Sequence, residues 1–343
     1  MPIQYPKPLQ QGDLIGVTAP SSGVENSLHV LLSKAKEQVE AKGYSVVIGE
    51  TAWTQKKGRS GEKEQRAKEL MDFLEDDRIT AIIPPWGGSF SMEILPLLDW
   101  EKLKSIPPKW ILGYSDISTF LFVYTTITGN ASAHGTSFTE LSAPEWDMVT
   151  SKWTEVLETP KGGVVIQHSS DSYQSSWDQV YKNPATGFYF DSKTEWRNLN
   201  GQTKAEFSGR LLGGCLSTLR VLIGTPYDQV NDYISTYAEE GVVWYLESVG
   251  LDAANIYRSL WQMKQAGWFK HANGILIGRA SRYTDNNDFT LEDALVDSFA
   301  EDGIPVLYNV DIGHAPPQNV LVNGAYSRVV YNDSKGSIEM NFI

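Results

Sequence analysis

The sequence predicts an α/β protein in which a doubly wound parallel sheet is followed by a second, more β-rich domain. Three observations carry this. Strand and helix patterns alternate over residues 13–128, the strand ends are rich in Gly, Ser and Pro, and beyond residue 206 short apolar runs come closer together.

DLIGVTAP (13–20) reads as a buried strand that ends in a turn. Over 26–42, Leu28, Leu31, Leu32, Ala35 and Val39 fall at helical spacing, and Gly43 is the stop. YSVVIGE (44–50) is a second strand, and 59–77 forms a helix with Ala67, Leu70, Met71 and Leu74 on one face. ITAIIPP (79–85) is a third strand, SMEILPLLDW (91–100) a short helix and WILGYS (110–115) a fourth strand; SDISTFLFVYTTIT then reads as a helix. Such alternation is that of a parallel sheet covered on both faces, a Rossmann- or flavodoxin-like layout, with ligands held outside the carboxyl ends of the strands. Those ends read APSS, PPWGGS and GYSD.

Residues 145–205 have weak periodicity and many aromatics: Trp146, Trp153, Tyr173, Trp177, Tyr181, Tyr189 and Trp196. They read as a linker plus an elaborated loop or hairpin, either pinned to the body by those rings or serving as a substrate lid. The expected division is therefore 1–150, 151–205 and 206–343. In the last part, GRLLGGCLSTLRVLIGT suggests a strand, a glycine turn and a helix, and GVVWYLES (241–248) a buried strand. Residues 253–267 form an amphipathic helix with Ile256, Leu260 and Met263 on one side, and 272–280, 304–313 and 326–333 are further strands.

Composition narrows the function. The 343 residues carry a formal charge of -13, which repels phosphate backbones and argues against a nucleic-acid partner. Cys215 is the single cysteine, so neither an internal disulfide nor a Cys-based zinc site is expected, and a reducing cytoplasm fits. The N-terminal stretch has no leader pattern, and no apolar run approaches the about 20 residues of a membrane helix. The expectation is a cytoplasmic protein with no membrane partner.

KWILGYSDISTF (109–120) holds the first chemical signal. A strand ending in Gly-x-Ser and turning into a helix is a nucleophile elbow, with the hydroxyl exposed above the sheet. Gly113 provides one small neighbour, but Ile117 stands where a second glycine is usual. The alternative is a plain turn in which Ser115 or Asp116 caps the helix. A serine needs a base. His29, His168 and His271 have no supporting context; His134, in a loop near the first sheet, and His314, in DIGHAPPQ before two backbone-fixing prolines, are candidates. Glu247, ending the apolar strand VVWYLE, is costly to bury unless paired, and either a histidine or a cationic side chain would meet that need. In PPWGGS, the Gly88 amide could form an oxyanion hole with the Asp116 amide; the alternative is a tight turn.

Taken in order and spacing, these stretches resemble the LD-carboxypeptidase family of serine peptidases, and within it the microcin C immunity (MccF) type. The stretches are GDLIGVTAPSS, RSGEKEQRAKEL, GGSFSMEILPLLDW, ILGYSDIS, GRLLGGCLSTL, WYLES, GILIGR and DIGHAPPQNVLVNGAY. The resemblance implies a doubly wound N-terminal domain and a C-terminal domain with a small β-barrel. It implies Ser115 as nucleophile, His314 as general base and Glu247 as its orienting partner, with Gly88 and Asp116 as oxyanion amides. It implies no metal or organic cofactor, a small-molecule or peptide substrate and a homodimer. Three departures fall near the expected pocket: Trp86-Gly87-Gly88 replaces Arg-Gly-Gly, Gly213-Gly214-Cys215 replaces Gly-Gly-Asn, and Val322-Asn323-Gly324 replaces Pro-x-Gly. They bear on substrate identity more than on mechanism; the missing arginine and the aromatic insert tilt the expected substrate from murein tetrapeptide toward aminoacyl or peptidyl nucleotides. The resemblance implies Trp86 and Gly87 as substrate-binding residues, with Trp196, similar in position to an insert tryptophan of that type, stacking on a nucleobase. The rivals are an ordinary α/β-hydrolase esterase and a non-catalytic glycan- or peptide-binding protein.

Overall fold

The computed structural model describes residues 2–343; the side chain of Tyr181, one of the aromatics of 145–205, lies outside the described residues. The first half alternates as expected: β1 (Leu14–Val17), α1 (His29–Ala41), β2 (Ser45–Ile48), α2 (Lys63–Glu75), β3 (Ile79–Ile82), α3 (Trp100–Ser105), β4 (Trp110–Gly113), α4 (Ile117–Thr128) and β5 (Ser132–His134). The apolar stripes do the packing: α1 buries Leu32, Ala35 and Val39, and α2 buries Ala67, Leu70 and Leu74. In 91–100 the expected helix is replaced by two short 3-10 turns, Ser91–Glu93 and Leu95–Leu97. Pro96 lacks the amide a continuing helix needs. The helix starts one step later, after Asp99, whose carboxylate accepts from Lys102 N at 3.0 Å.

The parallel strands run in the order β2-β1-β3-β4-β5, the flavodoxin-like arrangement, whose switch point lies between β1 and β3. The loops after β1, β3 and β4 therefore open at one edge of the molecule.

The rest of the chain contributes α5 (Lys152–Glu158), β6 (Val164–His168), β7 (Ser172–Tyr173), α6 (Asp178–Lys182), β8 (Ser192–Lys193), β9 (Arg197–Asn198), β10 (Lys204–Cys215), α7 (Leu216–Leu219), α8 (Val230–Thr236), β11 (Val242–Glu247), α9 (Ala253–Gln265), β12 (Ala272–Gly278), α10 (Leu291–Phe299), β13 (Val306–Val310), β14 (Leu321–Asn323), β15 (Tyr326–Asn332) and β16 (Lys335–Asn341). Eight of these strands form a mixed sheet in the order β6-β16-β15-β10-β11-β12-β13-β9. Its centre, β10 to β13, is parallel, and every residue of β11 is buried, as a strand covered on both faces must be. β14 leaves this half and pairs antiparallel with β5, so the first sheet takes its edge strand from near the C-terminus.

Residues 145–205 are more structured than a linker. They supply both edges of the second sheet, β6 against β16 and β9 against β13, while α5, the β7–β8 hairpin and α6 stand outside it. Where a small barrel was expected, these strands form a sheet whose two ends are not laddered to each other. The end strands β6 and β9 are not paired, and single contacts bridge the gap: Trp196 N donates to Ser334 O at 3.0 Å, and Thr194 N to Asp171 O at 3.0 Å.

α4 joins the halves. All its residues but Ile127 are buried, which suits a helix apolar on every side. Phe122 stacks on Trp268 with ring centroids 5.3 Å apart, and Ser118 Oγ accepts from Cys215 N at 3.1 Å. The glycine turn expected at 213–214 is instead the last part of β10. A Cβ on Gly213 would lie 1.8 Å from the Tyr245 carbonyl oxygen, and one on Gly214 would lie 2.7 Å from Ser118 Cβ. These glycines let β10 press against both its neighbour strand and α4. Gly213→Ala is expected to cost about 3 kcal/mol, the upper range for overpacking a dense core; urea unfolding of the variant measures it.

Candidate active site

Ser115 sits in the one-turn connection from β4 into α4 with φ of +60°, a left-handed conformation that costs a non-glycine residue energy and is kept where the surroundings impose it. The bend is drawn tight by Ser118 N donating to Ser115 O at 3.0 Å. Gly87 makes room for it: a Cβ there would lie 2.6 Å from Ser115 Cβ and 2.9 Å from the Asp116 amide nitrogen. Asp116 stands at the N-cap of α4, but its carboxylate makes no capping bond. It accepts from Ser21 Oγ at 2.5 Å and from Ser91 N at 2.8 Å, tying the loops after β1 and β3 to the serine turn.

The glycine loop is held from the β1 side. Ser22 N donates to Gly87 O at 3.2 Å, and Gly88, at φ +147°, lies so close to Ser21 Oγ and Ser22 Oγ that a Cβ would meet them at 2.3 and 2.4 Å. Trp86 Nε1 donates to Gly23 O at 3.0 Å. Arg66, fully buried on α2, donates to Pro20 O at 2.9 Å and Phe90 O at 3.1 Å, bracing both loops from beneath.

The second half supplies the histidine. Glu247 ends β11, and Gly313 and His314 follow β13. His314 Nδ1 lies 2.7 Å from Glu247 Oε2, and the carboxylate is wholly buried. Burial alone would raise the Glu247 pKa; the charge and hydrogen bond of His314 outweigh it and hold the carboxyl below its usual value. Gly313, at φ +91°, allows the approach, since a Cβ would stand 2.5 Å from Glu247 Oε2. The Tyr114 ring lies 4.8 Å from the imidazole, centroid to centroid, and its hydroxyl donates to Glu140 Oε1 at 2.6 Å. Glu140 also accepts from Thr136 Oγ1 and Ser137 N, each at 2.9 Å; burial pushes its carboxyl up against those bonds.

Ser115, His314, Trp86, Gly87 and Gly88 line one cavity of about 720 Å³, whose far wall is Trp177 and Phe188. With Glu247 on His314 and Asp116 next to Ser115, the structure gathers the sequence candidates except Trp196 and His134. Trp196 is a correction: it is fully buried among the second half's strands, with Nε1 donating to Asp311 Oδ2 at 2.7 Å and Gly336 packed on its ring. The insert tryptophan at the cavity is Trp177, whose Nε1 donates to His314 O at 2.8 Å. Nothing in the local pattern separated these two tryptophans. Ser21, Ser22 and Tyr114 carry no local signal, because their partners are distant along the chain, and Glu140 reads locally as no more than the acid of a capping box with Ser137.

His134 lies in β5, not a loop, and does not reach the cavity lining. It is fully buried edge-on between Tyr114 and Tyr245, with no hydrogen-bond partner on either ring nitrogen. Burial, aided by the His314 charge and opposed by Glu247, pushes its pKa from 6.5 down to about 4. The folded chain therefore binds this proton less readily than the unfolded chain. Stability is full above pH 6.5 and is lost as the pH falls toward about 4, by up to about 3 kcal/mol. His134→Leu is expected to flatten the fall of melting temperature across that window, as read by circular dichroism.

Comparison with known proteins places the chain in a family. Residues 15–135 match the LD-carboxypeptidase N-terminal domain and residues 208–329 the LD-carboxypeptidase C-terminal domain. The chain is 24% identical to the microcin self-immunity protein MccF of Escherichia coli, over 98% of this chain and 96% of that one. It is 24% identical to the murein tetrapeptide carboxypeptidase of Pseudomonas aeruginosa, over 88% and 87%. Among solved structures, an MccF-like protein of Bacillus anthracis superposes with a TM-score of 0.82 at 23% identity, covering 98% of this chain and 99% of that one. MccF in complex with glutamyl sulfamoyl guanosine superposes at 0.81 and 22% identity, with 97% of each chain covered. No helix among the described residues is long and apolar enough to cross a membrane.

Proposed function

The chain belongs to the LD-carboxypeptidase family of serine peptidases, and from that premise we propose that it cleaves an amide near a C-terminus through Ser115, His314 and Glu247. The observation that carries this reading is the 2.7 Å contact between His314 Nδ1 and the buried Glu247, at a cavity that also holds the strained Ser115.

Ser115 Oγ attacks the carbonyl carbon while His314 Nε2 takes its proton. Glu247 accepts from Nδ1–H, which fixes the tautomer and stabilises the imidazolium. The amides of Gly88 and Asp116 receive the oxyanion; one such donor is typically worth about 3 kcal/mol of barrier. The amine departs with the proton from His314. Water, deprotonated by the same ring, then releases the acyl group from the serine.

For substrate, we favour aminoacyl or peptidyl nucleotides of the microcin C kind over murein tetrapeptide. Two features support the choice. A relative solved with glutamyl sulfamoyl guanosine shares the fold, and the cavity wall of Trp86, Trp177 and Phe188 suits a planar group. Trp86 and Gly87 are the proposed substrate contacts on the serine side. Membership of a peptidase family sets aside the non-catalytic reading.

The test is a panel of an aminoacyl sulfamoyl nucleoside, a murein tetrapeptide and an aryl ester. Ser115→Ala is expected to lower kcat/KM by more than about ten-thousand-fold on the preferred substrate with the fold unchanged. Turnover of the sulfamoyl nucleoside well above the other two supports the favoured substrate, and preference for the tetrapeptide reverses it. A Ser115→Ala variant as fast as the parent overturns the catalytic assignment.

A further inference from the structure

His314 stands on a loop of irregular backbone, residues 311–320, between β13 and β14. A general base must be held to a fraction of an ångström, and such a loop offers little of its own to do it. Two of its residues, Pro316 and Pro317, have no amide donor, so the carbonyls around them need partners from elsewhere. The structure provides one for each of four consecutive carbonyls. His314 O accepts from Trp177 Nε1 at 2.8 Å, and Pro316 O from Gln174 N at 2.7 Å. The other two belong to Arg279, just beyond β12. Its Nε and Nη2 donate to Ala315 O at 3.1 and 2.8 Å, and Nη2 also donates to Pro317 O at 2.7 Å.

Arg279 is itself fixed. It is 4% exposed, and its Nη1 pairs with Asp311 Oδ1 at 2.8 Å. Asp311, fully buried, also accepts from Ser170 Oγ at 2.5 Å, Ser170 N at 3.2 Å and Trp196 Nε1 at 2.7 Å. The Tyr173 ring lies 4.7 Å from the guanidinium. Burying two charges costs several kcal/mol per ion unless every donor and lone pair is used. Here nearly all are, and the donors reach the loop on the C-terminal side of the imidazole. A lysine could keep the charge but not the fork.

We propose that Arg279 is a positioning residue for catalysis: by clamping the carbonyls of Ala315 and Pro317 it sets the direction of the His314 ring. This rests on His314 acting as the base of Ser115. It goes further in giving a task to a side chain that touches neither substrate nor serine.

A serine-directed fluorophosphonate tests it without knowledge of the natural substrate. The parent is expected to be labelled at Ser115, and Arg279→Lys to be labelled about tenfold to a hundredfold more slowly, at a temperature where circular dichroism shows it folded. Leu260→Ala, at a buried position of α9 outside the loop and the clamp, is a destabilised control, and it should keep the parent rate. If Arg279→Lys does not fold, Tyr173→Leu replaces it, with an expected slowing of about threefold or more from loss of the ring over the guanidinium. A second readout is the downfield NMR resonance of the proton between His314 Nδ1 and Glu247, which Arg279→Lys should shift or broaden. Labelling at the parent rate, or no slower than Leu260→Ala, overturns the proposal, as does an unchanged resonance. An unlabelled parent with the resonance still moved by Arg279→Lys sinks the serine-nucleophile reading but leaves the clamp standing.

Discussion

A carboxylate buried at the end of an apolar strand is the constraint on which the rest depends. Glu247 follows five buried residues of β11, in the middle of an eight-stranded sheet. An isolated charge there would be prohibitively costly, and loss of its partner would cost about 3–5 kcal/mol. The imidazole of His314 is that partner, and glycine at 313 is what lets the loop come close enough. The same contact that settles a folding problem also fixes the imidazole proposed as the base at the cavity. Stability and the proposed chemistry are thus served by one hydrogen bond.

Around that contact the two halves are interlocked. α4 begins at the serine turn and runs buried against β10, so the helix that shapes the elbow is also the packing seam. β14 carries the chain back from the His314 loop into the first sheet beside β5. Residues 145–205 hold the loop through Gln174 and Trp177 while also lining the cavity. The proposed binding to that wall and the placement of the imidazole therefore share the same side chain.

Much of this was legible in the sequence where a local pattern has a local cause. The elbow at Gly113-Tyr114-Ser115, the acid after an apolar run at Glu247 and the Gly-His-Ala-Pro-Pro turn each describe what the backbone does at that point. The alternating strands and helices of the first half were read from their periodicity. What was missed is non-local or too short to show a period. The three-residue β5 and β14 exist through pairing, β5 between β4 and β14 and β14 on its edge. Pro96 broke a helix that the apolar spacing suggested. Trp177 and Trp196 sit in equally irregular stretches, and only the fold decides that one faces the cavity and the other donates to Asp311. Arg279 and Asp311 each directly follow an ordinary strand, and nothing along the chain says that they meet.

The central claim is that a serine from the first half and a histidine from the second act as one unit. A double-mutant cycle on kcat/KM with Ser115→Ala, His314→Ala and the pair measures this directly. Residues that share one proton transfer are grossly non-additive. The account predicts that the pair falls no further than the worse single variant. Losses that multiply, each residue contributing independently, would contradict it.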